Sequence, residues 1–329
     1  MFIRSYLLMK AAIYKKYGSP DVLRIKDIEK PTPEDNEVLI KVHATTVNRT
    51  DCANLRAHPF FMRIIIGLLR PKKSIPGTDF AGQIEAVGKD VFSFNIGDKV
   101  FGFNDEVLSS HAQYLALPED QSLLTIPENC SYEEAAASSE GAHYAYNFIN
   151  KVDIENGQKI LVNGATGAIG SAAVQLLKIY EADVTAVCNT KNLELVKSLG
   201  ADKIIDYEKE DFTKQNQKYD YIFDTVGKSS FGKCKPLLNS GGVYISSELG
   251  WMYQNFYYAF ITPILGNKKV VFPIPIDIKR SLHLIKKLIE EGKFNAIIDR
   301  KYPFRQIVDA YKYVEKGQKT GNVVIILEE

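Results

Sequence analysis

The run Ile160-Leu161-Val162-Asn163-Gly164-Ala165-Thr166-Gly167-Ala168-Ile169-Gly170 decides how the rest of the chain is read. Its apolar start reads as a short buried strand. Ala173, Val174 and Leu177 then recur at helical spacing. Glycines at a strand-to-helix junction have separate uses. Gly164 makes the tight turn, Gly167 lets backbone N–H groups approach a pyrophosphate, and Gly170 lets helix and strand pack closely. The anion then rests on unpaired N–H groups at the positive end of the helix. Thr166, Ala168 and Ile169 complete the expected cofactor-binding loop. The spacing is GxxGxxG rather than GxGxxG, so the alternative of a Gly-rich turn without a ligand is weighed by context.

That context lies on both sides. Short apolar strands are predicted at 160–163, 183–187, 203–205, 220–224, 242–246 and about 269–273, with helical patterns between most of them. Leu193, Val196 and Leu199 mark one such helix. Apolar strands alternating with helices imply a parallel sheet covered on both faces. Six strands match a doubly wound α/β (Rossmann) dinucleotide fold. Residues 9–118 read instead as mostly β. Val38, Ile40 and Val42 alternate with Leu39, Lys41 and His43, and Gly88, Gly97-Asp98 and Gly102 punctuate short apolar runs, as in a compact barrel. From about 296 the chain returns to strand-like runs, Val323 to Leu327 among them, and is expected to rejoin the barrel. The expected domains are 1–127 with 295–329, and 128–294. Residues 1–8 read as a loose extension.

Composition fits a soluble globular protein rather than a disordered or fibrous one: 329 residues, 45% hydrophobic and 25% charged. Lys and Arg (41) nearly cancel Asp and Glu (40), so no global field draws the chain to nucleic acid or to a membrane. The apolar stretches 60–69 and 256–265 are too interrupted to span a bilayer. The N-terminus is too short in apolar residues for a signal segment. Cys52, Cys130, Cys188 and Cys234 form no CxxC pair, which argues for a reducing compartment, and the cytoplasm is expected.

Cofactor choice is read where the second strand ends. An NAD-selective site places a carboxylate there for the ribose 2′-hydroxyl. Here Val184–Val187 runs into Cys188-Asn189-Thr190-Lys191-Asn192, with no acid. Asn189, Thr190 and Lys191 suit a 2′-phosphate, so NADPH is expected. Tyr207, after the third strand, is placed beside the adenosine phosphate; the alternative is an ordinary strand-end aromatic.

Further stretches carry a resemblance. Met9-Lys10-Ala11-Ala12, Val47-Asn48, Pro76-Gly77-Thr78-Asp79-Phe80-Ala81-Gly82, the Gly loop, Asn192 to Asp202, Asp224-Thr225-Val226-Gly227 and Gly241-Gly242-Val243 together resemble the medium-chain dehydrogenase/reductase superfamily. The resemblance covers residues 9–327 and is nearest to the zinc-independent, NADPH-dependent quinone oxidoreductases. It implies a GroES-like β-barrel catalytic domain beside the Rossmann domain, a homodimer through the sheet edge, and Val226, Gly227, Ser246 and Asn322 as further cofactor contacts. In the zinc-dependent branch the positions of Asn48, Thr78 and Asp79 carry Cys, His and Glu. One carboxylate does not hold a catalytic zinc, and no metal is expected.

Without a metal, nothing polarises a simple carbonyl. The substrate is then expected to be a small hydrophobic electrophile, a quinone or an α,β-unsaturated carbonyl, with the protein supplying orientation and hydrogen-bond donors. Asn48 is the first candidate donor; the alternative is a turn-forming Asn that bonds its own backbone. Tyr144 stands where the family commonly has Thr. Tyr144 and His143 are candidate donors or proton sources, the latter because imidazole titrates near neutrality; the alternative is packing. The aromatic stretches 58–66 and 251–258 read as cleft walls, oligomer contacts or membrane-surface patches, with a cleft lid favoured for the first. The rival functions are a reductase for an acyl thioester or another activated double bond, and a catalytically weak NADPH-binding redox sensor or interaction protein.

Overall fold

The computed structural model describes residues 7–104 and 108–327. Of the extension expected over residues 1–8, residues 1–6 lie outside the described residues. Leu8 already pairs with Glu29 across strands β1 (Leu8–Ile13) and β2 (Arg24–Glu29). Strands β3 (Glu37–Val47), β4 (Asp79–Val87), β5 (Lys99–Phe103), β6 (Tyr114–Pro118) and β7 (Leu123–Thr125) follow. β3 is the hub: it pairs antiparallel with both β4 and β6. Its Val38, Ile40 and Val42 sit in a core with Phe80, Ile84, Val100 and Leu115, as the period-2 pattern requires.

The nucleotide unit contributes β8 (Lys159–Asn163), β9 (Asp183–Cys188), β10 (Lys203–Asp206), β11 (Tyr219–Asp224), β12 (Leu238–Ser246) and β13 (Lys269–Val271). They form one sheet in the order β10-β9-β8-β11-β12-β13, and every pairing is parallel. The order reverses at β8, so the crevice beyond its carboxyl end is the topological switch point where such folds bind ligands. The chain then returns: β14 (Ile298–Pro303) pairs with β15 (Asn322–Ile326), and β15 adds antiparallel to β3. Barrel and six-stranded doubly wound sheet are both as expected from the sequence.

Contacts divide the chain into Met1–Glu140 with Ile278–Glu329, and Gly141–Asp277. The sequence reading placed these divisions at 127/128 and 294/295. The difference has a packing cause. Helix Tyr132–Ala137 buries Ala135, Ala136 and Ala137 against Ala44, Ala81 and Phe101 of the barrel, and Leu282 of helix Ile278–Glu290 joins the same cluster.

Candidate functional site

In the nucleotide unit, β8 ends at Asn163 and the chain turns at Gly164, whose φ of +82° only glycine adopts without strain. A Cβ there would also meet Val226 Cγ1 at 2.4 Å. Gly167 is the N-cap of helix Ala168–Ile179 and offers no side-chain cap. The first-turn N–H groups are therefore left to a ligand or solvent, which is the requirement of an anion site. A Cβ on Gly170 would lie 2.1 Å from the Gly164 carbonyl oxygen. Thr166, Gly167, Ala168 and Ile169 are half-buried along this turn, open enough to be touched. A Cβ on Gly141, at the start of helix Glu140–Ile149, would meet the Ala168 backbone at 2.9 Å, so that helix crosses directly over the anion-binding end.

Asp224 underpins the turn, a role no spacing in the sequence announced. Fully buried, it accepts from Asn163 Nδ2 (2.9 Å), Ser229 N (3.0 Å) and Tyr244 OH (2.9 Å). Next to it, Thr225 Oγ1 donates to the Asn163 carbonyl (2.8 Å). Of the expected contacts, Val226 sits against the Gly164 turn, while Gly227 packs beside the Glu248 side chain. Ser246, at the end of β12, accepts from Glu248 N at 3.3 Å. Asn322 belongs to the barrel unit, where its Nδ2 donates to the Ile297 carbonyl at 3.1 Å.

At the end of β9, Asn189 accepts from Asn192 Nδ2 (2.7 Å), and the exposed Tyr207 donates its backbone N–H to the Cys188 carbonyl (2.9 Å). The acid missing from β9 arrives from β10. Asp206 accepts the Thr190 hydroxyl at 2.6 Å, and Glu208 accepts Thr190 N at 3.2 Å. That hydroxyl holds the Asp206 carboxyl below its usual range. Two carboxylates therefore stand beside the segment that reads as acid-free along β9 alone.

In the barrel unit, Asn48 caps helix Arg49–Arg56 in a reciprocal box: its Oδ1 accepts from Asp51 N (2.7 Å), and Asp51 accepts from Asn48 N (3.0 Å). Its Nδ2 donates to Thr78 Oγ1 at 2.9 Å. The backbone-bonding alternative is therefore realised, and Asn48 is 7% exposed. Asp79 is saturated with donors, taking Thr46 N (2.7 Å), Thr46 Oγ1 (2.5 Å) and Thr45 Oγ1 (3.1 Å). Burial nonetheless pushes its carboxyl up to about 6, and burial together with the Asp79 charge raises Asp51 well above the usual carboxylate range. Thr50 Oγ1 donates to Glu140 at 2.6 Å, a contact between residues far apart in sequence that no motif foretold. Among the described residues, no three His, Cys, Asp or Glu side chains are grouped to hold a metal.

His143 requires a correction. It is fully buried on helix Glu140–Ile149, with its ring near Asn147 Nδ2 (3.3 Å) and edge-on to Tyr144 (5.7 Å). Burial pushes it down to about 4, so it is an uncharged imidazole at neutral pH rather than a group titrating there. Tyr144 is half-buried one position on.

A barrel unit joined to a doubly wound sheet, with a glycine turn feeding an uncapped helix, defines an oxidoreductase built for a nicotinamide dinucleotide. Residues 34–128 match the family model described as "Alcohol dehydrogenase GroES-like domain", and residues 199–325 that described as "Zinc-binding dehydrogenase". The 2-methylene-furan-3-one reductase of Solanum lycopersicum is 34% identical over 96% of this chain and 79% of its own length. The NADPH-dependent alkenal/one oxidoreductase of Arabidopsis thaliana is 31% identical over 96% and 79%. The solved quinone oxidoreductase from Coxiella burnetii superposes with a TM-score of 0.85 at 25% identity, covering 98% of this chain and all of that one (100%). The chain belongs to the medium-chain dehydrogenase/reductase superfamily, in its quinone oxidoreductase-like branch.

Proposed function

We propose that this enzyme is a zinc-independent reductase that uses NADPH to reduce a quinone or an α,β-unsaturated carbonyl. The observation that carries the reading is the uncapped start of helix Ala168–Ile179 directly behind the Gly164 turn, with Asn189, Thr190 and Lys191 at the end of the neighbouring strand. The names of the tomato and Arabidopsis relatives support the substrate class, and the latter supports NADPH. The first-turn N–H groups would hold the pyrophosphate and Lys191 the 2′-phosphate. When bound, the nicotinamide supplies hydride to an already electrophilic carbon. No Lewis acid is assigned, because Asn48 and Thr78 are neutral and bonded to each other while Asp79 is saturated by threonine donors.

The chain's own residues orient the reactants and place donors where negative charge develops on the substrate oxygen. Tyr144 is the candidate hydroxyl donor. His143 is uncharged at working pH and contributes at most an N–H. Asn48 first stabilises its own helix, and any donation to substrate uses what that cap leaves. The open outer edge of β13 supports a homodimer joined through the sheet, and four free cysteines support a cytoplasmic location. Steady-state oxidation of NADPH against a panel of quinones and enals tests the reading. Micromolar NADPH binding with no turnover of any of them would instead make the protein a sensor.

A further inference from the structure

Between Ala57 and Thr78 the chain carries Arg63, Arg70, Lys72 and Lys73 and no Asp or Glu. In the same stretch Phe60, Phe61, Ile64, Ile65, Leu68 and Leu69 recur in pairs every four residues, a stripe that in most proteins faces a core. Here it faces out: Phe60 is 69% exposed, Ile64 76% and Leu69 88%. A helical turn at 60–66 and a glycine bend at Gly67 hold these side chains outward. The scaffold beneath is tied down. Tyr17 OH donates to the Gly67 carbonyl at 2.7 Å, Lys72 N donates to the Ile66 carbonyl at 2.8 Å, and the Arg63 guanidinium lies 5.1 Å from the Tyr17 ring and 5.0 Å from that of Phe60.

We propose that residues 58–73 form a docking surface for the headgroup layer of a bilayer rich in anionic lipid. Aromatic and branched apolar side chains projecting from a cationic surface match that boundary: the apolar tips enter the acyl edge while Arg70 and Lys72, both exposed, face lipid phosphates. Charge argues against a second copy as the occupant. A symmetric contact of this face with itself brings like cations together with no carboxylate in the stretch to offset them. A hydrophobic electrophile dissolved in a bilayer would thereby meet the enzyme at the membrane. This departs from the expectation of no membrane contact, which rested on a net charge of +1 that conceals the local excess.

The test is co-sedimentation of the full chain with vesicles of phosphatidylcholine alone and of phosphatidylcholine mixed with phosphatidylglycerol. Partitioning about tenfold stronger onto the mixed vesicles is expected, falling at high salt as exposed charges are screened. Ile64→Ser with Leu69→Ser, and separately Arg70→Glu with Lys72→Glu, should each abolish the preference, with unchanged melting temperature and NADPH binding as the check on folding. Equal binding to both vesicles, no binding, or binding retained by either variant overturns the proposal. Light scattering in which the serine variant turns an oligomer into a monomer overturns it too, by assigning the face to a second copy.

Discussion

A Cβ placed on Gly170 would come within 2.1 Å of the carbonyl oxygen of Gly164, while one placed on Gly167 would meet nothing closer than that same oxygen at 3.7 Å. The two glycines are therefore separable by experiment. Gly170→Ala must displace the Gly164 carbonyl, with Thr225 Oγ1 also within 2.8 Å of the new methyl, and is expected to cost about 1–3 kcal/mol of stability along with most of the cofactor affinity. Gly167→Ala meets no clash, and its φ of −71° suits alanine. It should melt like the parent yet bind NADPH at least several-fold more weakly, because the methyl stands where the pyrophosphate approaches. Differential scanning fluorimetry and cofactor titration check both. Parental affinity in Gly167→Ala would remove the pyrophosphate from this turn.

The end of β9 gives a second, electrostatic test. Lys191→Glu is expected to weaken NADPH far more than NADH, since only the former carries the 2′-phosphate. Glu208→Gln removes a negative charge from the same corner while leaving an amide oxygen able to accept the Thr190 N–H that Glu208 now takes at 3.2 Å. The ratio of NADH to NADPH dissociation constants should rise by about threefold, the scale of one solvent-exposed charge interaction. Equal changes for both cofactors in either variant contradict the 2′-phosphate assignment.

Glu208 also illustrates where the sequence stops being legible. The Gly164–Gly170 loop was readable because a parallel sheet buries both faces of its strands, leaving apolar runs that locate the strand and helix flanking the glycines. The acids beside Thr190 were not, because Asp206 ends β10 and Glu208 follows it, and only lateral pairing of β10 with β9 brings Asp206 alongside Cys188. Helix Tyr132–Ala137 misled in a similar way: its alanines show no marked stripe, and only their contact with Ala44, Ala81 and Phe101 assigns it to the barrel unit. The stripe at 60–69 inverted the usual rule, since periodicity reports a face and not what covers it.

Asn48 combines a cap with a candidate donor, and substitution can divide them. Asn48→Ala removes the side-chain acceptor for Asp51 N and strands the Thr78 hydroxyl, at a cost of about 1 kcal/mol from the cap alone. Asn48→Ser keeps an N-cap oxygen and should recover most of the melting temperature. Asn48→Asp should do worse than serine near neutrality, because it adds a third carboxyl beside the buried Asp51 and Asp79. If Asn48 also donates to substrate, kcat stays low in the serine variant while stability returns. Full recovery of kcat with serine confines Asn48 to the cap.

His143 makes the pH prediction. Its folded value of about 4 lies below the ordinary 6.5, so the unfolded chain takes up this proton first as the solution is acidified. The stability associated with neutral His143 is complete above pH 6.5 and drains away as pH falls toward 4, by about 3 kcal/mol over that window. His111, buried and likewise held to about 4, adds a second share of the same sign. His143→Gln should therefore flatten the acid side of a melting-temperature profile without abolishing it. Turnover obeys a different expectation: His143 stays uncharged from pH 5 to 8, so the kcat profiles of parent and variant should run parallel there. A kinetic limb near pH 6.5 that disappears in His143→Gln would restore the imidazole as a proton donor and refute the burial argument.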